Sequence, residues 1–255
     1  KLTEQTSLIN NISVVDNNII WISDQDRKAV SISTDGGVSW TKNDLPAVMI
    51  EGSTGGICAV SATTAYMIVS MGQKGVYKTT DGGKQWSKLT GGFPNGELGR
   101  IGLTISEKNP QIVYAVVENL NPKDPSKKLE TEGMMNTSRD NYYDQLKGGE
   151  VYRSDNGGNT WFKMNDEKYN VSSKAAYSFN QIFCNPQNPD NVWVIGDAMH
   201  ISFDKGKTWT GFEGDTTHFL DNMFGDHRTL WMDPKDGNHM LLGSDGGLYE
   251  SYDAG

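Results

Sequence analysis

Apolar positions along this chain fall in short runs separated by clusters of Gly, Asn, Asp and Ser. Runs of that length between turn signals read as strands, and their nearly unbroken hydrophobicity marks strands covered on both faces. They recur in sets of three. Innermost strands are predicted at 12–15, 57–60, 101–105, 179–183 and 229–232, and second strands at 19–22, 65–69, 112–117, 192–195 and 240–242. An alternating third strand follows each time: Val30-Ser31-Ile32, Val76-Tyr77-Lys78, Val151-Tyr152-Arg153, Met199-His200-Ile201 and Leu248-Tyr249-Glu250.

Every third strand runs into one repeated turn. Ser33-Thr34-Asp35-Gly36-Gly37-Val38-Ser39-Trp40 returns as Thr79-Thr80-Asp81-Gly82-Gly83-Lys84-Gln85-Trp86, and then as Ser154-Asp155-Asn156-Gly157-Gly158-Asn159-Thr160-Trp161. Ser202-Phe203-Asp204-Lys205-Gly206-Lys207-Thr208-Trp209 is the fourth copy, and Ser251-Tyr252-Asp253-Ala254-Gly255 begins a fifth. The acid slots at 35, 81, 156, 204 and 253 are separated by 46, 75, 48 and 49 residues. Such steps match one propeller blade each, with an insertion in the long one. A short acid accepts bonds from the turn's own N–H groups, glycine supplies positive φ, and the Trp that follows packs between sheets. The prediction is an all-β β-propeller of five four-stranded blades in a single domain, 1–255. Its blades span about 8–45, 55–90, 98–165, 176–212 and 227–255, with an insertion at 119–149. Residues 1–7 read like a strand that follows a turn, so they are expected to complete the fifth blade; a piece of a longer propeller is the alternative.

The turn resembles the Asp-box, or bacterial neuraminidase repeat, written S-x-D-x-G-x-T-W. In that family it joins the third and fourth strands of blades in sialidases, sortilin-type receptors and xyloglucanase-type glycoside hydrolases. From about residue 91 to 255 the chain is similar to sortilin-type or glycosyl-hydrolase-like secreted propellers. The similarity lies in Gly99-Arg100-Ile101-Gly102, Asn185-Pro186-Gln187-Asn188-Pro189, Gly225-Asp226-His227-Arg228, Trp231-Met232-Asp233-Pro234 and Gly243-Ser244-Asp245-Gly246-Gly247. This implies an extracellular or cell-surface home, with the periplasm as the alternative. Asp35, Trp40, Asp81, Trp86, Asn156, Trp161, Asp204, Trp209 and Asp253 are scaffold by this resemblance, and scaffold does not fix activity. Sialidases carry an Arg-Ile-Pro motif, whereas Arg100-Ile101 continues into Gly102, which argues against that chemistry. The sequence surrounding the acidic pair of xyloglucanase-type enzymes is not recognisable here.

Composition narrows the partners. With 23 basic and 32 acidic residues, net −9, the chain offers no basic patch to phosphates, so nucleic acid is excluded as a general partner. No apolar run approaches a membrane span, so no membrane insertion is expected. Cys58 and Cys184 are too few for a disulfide framework and read as buried small hydrophobes. No Cys/His spacing suggests zinc, and no cofactor or metal is expected.

In a propeller, loops between second and third strands lie on the face opposite such turns, together with the blade-to-blade connections. Ligand contacts are expected there. The insertion carries Met134, Met135, Tyr142 and Tyr143, and long loops in compact domains are functional or disordered. The connection 211–228 holds Asp215, His218, Asp221, Asp226 and His227, residues suited to a sugar hydroxyl, a water or a metal, and equally to bonding loop backbone. Asp24, Glu118, Asp197 and Asp245 end second strands, and Arg100 and Arg228 begin inner strands nearby. Two of Asp24, Glu118, Asp197, Asp226 and Asp245 would serve a glycosidase, or the acids pair with the arginines. Arg100, Tyr142, Tyr143, His218, Asp221, His227 and Arg228 are the ligand-binding candidates. The expected function is a module that binds a glycan or protein ligand. The alternatives are a glycoside hydrolase and a structural module of a larger surface complex. The oligomeric state is left open.

Overall fold

Hairpin after hairpin, the apolar runs pair with their chain neighbours. The computed structural model describes residues 9–24, 26, 28–51, 54–129, 142–172, 180–211 and 223–254. Five antiparallel sheets follow one another in chain order, and the fold class is an all-β propeller. Sheet one comprises β1 (Ile9–Val14), β2 (Ile20–Asp24), β3 (Ala29–Ser33) and β4 (Thr41–Asp44). Sheet two comprises β5 (Thr54–Ala59), β6 (Ala65–Val69), β7 (Gly75–Thr79) and β8 (Ser87–Lys88). Sheet three comprises β9 (Leu98–Ile105), β10 (Val113–Pro122), β11 (Leu146–Ser154) and β12 (Phe162–Lys163). Sheet four holds β13 (Gln181–Cys184), β14 (Val192–Ile195) and β15 (Met199–Ser202), and sheet five holds β16 (His227–Met232), β17 (Met240–Ser244) and β18 (Gly247–Ser251). A short helix, α1 (Ala47–Glu51), connects β4 to β5 and buries Met49. The chain divides into two compact units, Lys1–Leu89 and Thr90–Gly255.

In the first unit, Trp21, Val30 and Ile32 of sheet one meet Met67, Val69 and Tyr77 of sheet two, with Trp86 packed against them. Each such aliphatic side chain removed from water contributes about 1.5–3 kcal/mol. Polar ties add register: Trp21 Nε1 donates to Ser61 O at 2.9 Å, and Ala59 N donates to Ser13 Oγ at 2.9 Å. The second turn approaches sheet one so closely that a Cβ on Gly83 would lie 2.8 Å from Val30 Cγ2, and Gly83 also has φ +82°. Only glycine satisfies both demands.

In the second unit, Tyr114, Val116 and Val151 of sheet three pack with Ile182, Val192, Val194 and Trp209 of sheet four. Trp193, Ile195 and Ile201 of sheet four pack with Leu230, Met232 and Leu242 of sheet five. Sheets three and four are also stapled by charge. Buried Arg153 reaches Asp155 Oδ1 at 2.7 Å and Asp190 Oδ1 at 2.8 Å and donates to the Tyr114 hydroxyl, which donates to Pro189 O at 2.8 Å.

The repeated turns are built alike. The Ser or Thr hydroxyl donates to the acid slot and accepts the second glycine's N–H: Ser33 Oγ to Asp35 Oδ1 at 2.8 Å, Gly37 N to Ser33 Oγ at 2.8 Å. The acid then accepts the amide four residues on, as Ser39 N to Asp35, Gln85 N to Asp81, Thr160 N to Asn156 and Thr208 N to Asp204, at 2.8–3.0 Å. Trp40, Trp86 and Trp209 donate Nε1 to the carbonyls of Gly37, Gly83 and Gly206. Trp161 departs: its indole N–H is buried without a partner, and its ring meets Phe93 edge-on at 5.1 Å. In the fifth copy Ser251 Oγ donates to Asp253 Oδ1 at 2.8 Å. Bonds from Ser39 and Ser33 hold the Asp35 carboxyl down at about 2.

Cys58 and Cys184 are free, not bridged, and they are half-buried where buried side chains were expected; burial pushes their thiols up to about 11 and about 12. The expected closure of the fifth blade by residues 1–7 lies outside the described residues.

Candidate functional site

Sheet three departs from its siblings at the end opposite the repeated turn. The apolar run stops at Val117, yet the β10–β11 ladder continues through Glu118↔Gly149 and Asn119↔Gly148 to Pro122↔Leu146. Residues 119–122 and 146–149, expected within the insertion, are therefore strand. Polar residues can prolong the ladder because their side chains are satisfied across it. Asn119 Nδ2 donates to Glu150 Oε2 at 2.7 Å, as does the Tyr152 hydroxyl, and Lys163 Nζ reaches Glu150 Oε1 at 2.8 Å. Burial pushes the Glu150 carboxyl upward, but these bonds outweigh it and hold the group below its ordinary value. Glu150 is structural.

This prolonged hairpin, the segment after β12 and the β14–β15 turn enclose a cavity of about 260 Å³. Glu118, Asn119 and Leu146 come from the hairpin, Tyr143 and Asp144 from the chain just before β11, Asn170 and Ser172 from the following segment, and Asp197, Ala198 and His200 from sheet four. Close backbone approach makes this possible. A Cβ on Gly149 would overlap Ser172 N, and one on Gly99 would overlap the Glu118 carboxylate. Gly149 N donates to Asn170 Oδ1 at 2.5 Å, and Gly148 has φ +76° against the same amide. Ser172 Oγ donates to Asn180 Oδ1 at 2.6 Å, and Asn180 Nδ2 donates to Arg100 O at 2.9 Å.

Three of the twelve candidates predicted from sequence, Glu118, Tyr143 and Asp197, line the cavity. Glu118 is buried, and its Oε2 accepts the Arg100 N–H at 2.9 Å, so Arg100 serves the site through its backbone. Tyr142 packs edge-on to Tyr143 at 5.6 Å. Asp226 and His227 brace the Asp197 turn through backbone: Asp226 N to Asp197 O at 3.3 Å and His227 N to Gly196 O at 2.7 Å. Asp226 takes φ +57° there. Burial depresses the buried His227 imidazole, against the opposite pull of the Ala198 and Phe224 backbone carbonyls. Arg228 and Asp245 form a separate exposed pair, with Nε–Oδ1 and Nη2–Oδ2 both at 2.7 Å. Asp24 lies in the first unit, buried and paired with Lys42 at 3.0 Å. Asp245 is thus paired with an arginine, one of the alternatives read from sequence, whereas Asp24 is paired with a lysine and not with an arginine. His218 and Asp221, with Asp215, Met134 and Met135, lie outside the described residues.

The pattern of apolar runs gives no hint of Asn170, Ser172 or His200 as site residues. Glycine pairs are the one signal available, since Gly148-Gly149 opens β11 where a blade strand would carry side chains. Among the described residues no group of three or more His, Cys, Asp or Glu is arranged to hold a metal ion. Carboxylates, amides, a phenol and an imidazole around one small cavity suit hydrogen bonding to a hydroxyl-rich ligand.

No family model matches the chain. It is 27% identical over 139 residues to the probable oligoxyloglucan-reducing end-specific xyloglucanase of Neosartorya fischeri, covering 54% of this chain and 14% of that protein. It is likewise 27% identical over 145 residues to the oligoxyloglucan-reducing end-specific xyloglucanase of Emericella nidulans, covering 56% of this chain and 15% of that one. The chain thus spans a small fraction of the length of the curated relatives it matches. Among solved structures, the GH74 xyloglucanase from Xanthomonas campestris superposes with TM-score 0.60 at 16% identity, over 95% of this chain and 36% of that one. YCF48 bound to D1 peptide superposes with TM-score 0.56 at 20% identity, over 100% and 67%. At such identities the likeness shows the propeller fold alone. No helix among the described residues is long and apolar enough to cross a membrane.

Proposed function

We propose that this propeller binds a glycan in the cavity beside the prolonged β10–β11 hairpin. One observation carries the reading: Glu118, Tyr143, Asn170 and Asp197 converge on one cavity from two sheets and the segment between them. Acids and amides there suit sugar hydroxyls, and Tyr143 offers a ring face. The partial identity to xyloglucanases supports a carbohydrate class and selects xyloglucan oligosaccharides as the first probes. In this reading the repeated turns are Asp-boxes, the propeller is of the sortilin-like or glycosyl-hydrolase-like kind, and it works outside the cell or at its surface. Calorimetry with xyloglucan heptasaccharide is expected to give saturable binding that Asp197→Asn weakens while the unfolding midpoint stays near wild type, and that Asn170→Ala weakens with a loss of stability, since it leaves the Gly149 N–H without its acceptor. Absence of binding across a panel of neutral oligosaccharides would remove the reading.

Hydrolysis is the second reading, favoured by two carboxylates, Glu118 and Asp197, lining the same cavity. Such a pair provides acid and base or nucleophile for glycosidic cleavage. Against it stands the Arg100 N–H on Glu118 Oε2, which commits that oxygen to the scaffold. Release of reducing sugar by the wild type, lost in both Glu118→Gln and Asp197→Asn, would establish hydrolysis over plain binding.

A further inference from the structure

The walls of the cavity beside the β10–β11 hairpin are not balanced in charge. Asp144, on the chain before β11, and Asp197, on the β14–β15 turn, both line it, and among the described residues no lysine or arginine does. Glu118 lines it too, with Oε2 already accepting the Arg100 N–H. The groups next to Asp197 add negative charge or none. Asp226 N donates to Asp197 O at 3.3 Å, which brings a second acidic residue to the same turn. His200 and His227 both feel the Asp197 carboxylate, yet burial outweighs that pull and depresses both rings, so they are uncharged at neutral pH. Arg228, the neighbour of His227, is matched by Asp245 through two bonds of 2.7 Å. The Asp144 side differs, because Lys123 Nζ donates to Asp144 O at 3.0 Å and tempers the charge there. Asp197 is therefore the stronger of the two.

We propose that this cavity sorts glycans by charge, drawing in the ammonium of an amino sugar and turning away a uronate, with Asp197 as the dominant group. The inference rests on the glycan-binding reading above and names the ligand class within it. The cavity supplies the place, and the aspartates supply the preference. Carboxylates only accept hydrogen bonds, whereas an ammonium brings three donors and a uronate brings a further acceptor. Charge acts through space, so the preference holds whichever way each carboxylate turns. Near water, unit charges about 4 Å apart change an affinity about fivefold, and salt reduces the effect. No group of three or more His, Cys, Asp or Glu among the described residues is arranged for a metal, which leaves an organic cation as the better match. The net charge of −9 on the whole chain has the same sign.

The test measures binding to the full chain of three probes made from xyloglucan heptasaccharide at its reducing end. These are the neutral alditol, the amine from reductive amination and the aldonate from oxidation, so they differ chiefly in charge. In about 10 mM salt, where screening reaches about 30 Å, the amine should bind about tenfold more tightly than the aldonate, with the alditol between them. In about 0.15 M salt, where screening shortens to about 8 Å, the spread should narrow. Asp197→Asn should reduce the spread at low salt to about threefold. Asp144→Asn should reduce it less, given Lys123 beside it. Asp236→Asn makes the same change in net charge on the turn between β16 and β17, at the other end of sheet five, and should leave the spread as it is. Equal binding of amine and aldonate overturns the proposal. So does a spread that Asp197→Asn leaves intact or that Asp236→Asn narrows equally, and in these cases glycan binding itself still stands. A wild type that binds neither the heptasaccharide nor any of the three overturns the glycan reading, and the charge preference falls with it.

Discussion

Sheets two and three begin from the same repeat and end differently. Around Thr79-Asp81 and around Ser154-Asn156 the turns make matching bonds, down to the second glycine's N–H on the hydroxyl. At the other end, β6–β7 closes at Val69↔Gly75, whereas β10–β11 runs on to Pro122↔Leu146 and walls a cavity. The difference separates two kinds of polar residue. Those in the turns satisfy one another within eight residues of chain, so they build a blade and leave nothing for a ligand. Those at the far end of sheet three are satisfied by distant segments, Asn170 by Gly149 and Asn180 by Arg100, and these contacts gather side chains around open space.

If the turn end is scaffold, damage there should unfold the protein without a specific effect on binding. Trp209→Ala is expected to be the most severe change, about 3–5 kcal/mol by urea unfolding, because its ring is buried between sheets three and four. An equal loss from Trp40→Ala, whose ring is half-buried, would break the packing argument. Gly149→Ala probes the other end. Overlap with Ser172 N should cost about 1–3 kcal/mol and also weaken xyloglucan heptasaccharide binding, and binding that survives intact would detach the cavity from the ligand.

Smaller effects sharpen the turn side. Asp204→Ala removes the acceptor of the Thr208 N–H and should cost about 1 kcal/mol, while Asp204→Asn should cost little, since Asn156 already makes the equivalent bond. A pH series follows from the same bonds. Asp35 sits at about 2, and Asp81 and Asp204 are also held below their ordinary range: the Gln85 N–H acts on Asp81, and at Asp204 the Thr208 bonds outweigh burial's upward push. A depressed folded value means the unfolded chain binds more protons. This contribution is therefore full above about pH 4 and fades as pH falls toward about 2. A variant with Asn at all three positions should show a flatter stability curve in that window. Asp245→Asn should do least, with an unfolding midpoint close to wild type, because its bidentate partner Arg228 and the acid itself are exposed.

The contrast also explains what could be read in advance. Asp35, Gly37 and Trp40 announce their turn because the interacting groups are neighbours in sequence. Strands covered on both faces announce themselves by unbroken apolar runs such as Val113–Val117. The β10–β11 extension does not, since Glu118 and Asn119 look like loop residues until Arg100 and Glu150 are seen to satisfy them. His200 is hidden for the same reason: its seat is the backbone of Thr210 and Gly211, and nothing in its own strand signals a site. Asp197 and Glu118 were legible as strand-ending acids, but so were Asp24 and Asp245, and only three-dimensional partners separate the two pairs.

The most direct test of the central claim is a backbone amide shift titration with xyloglucan heptasaccharide. Shifts concentrated at Asn119, Tyr143, Asn170, Ala198 and His200 are the predicted result. Saturable shifts clustered instead at the repeated turns, around Asp35, Asp81 and Asp204, would contradict it.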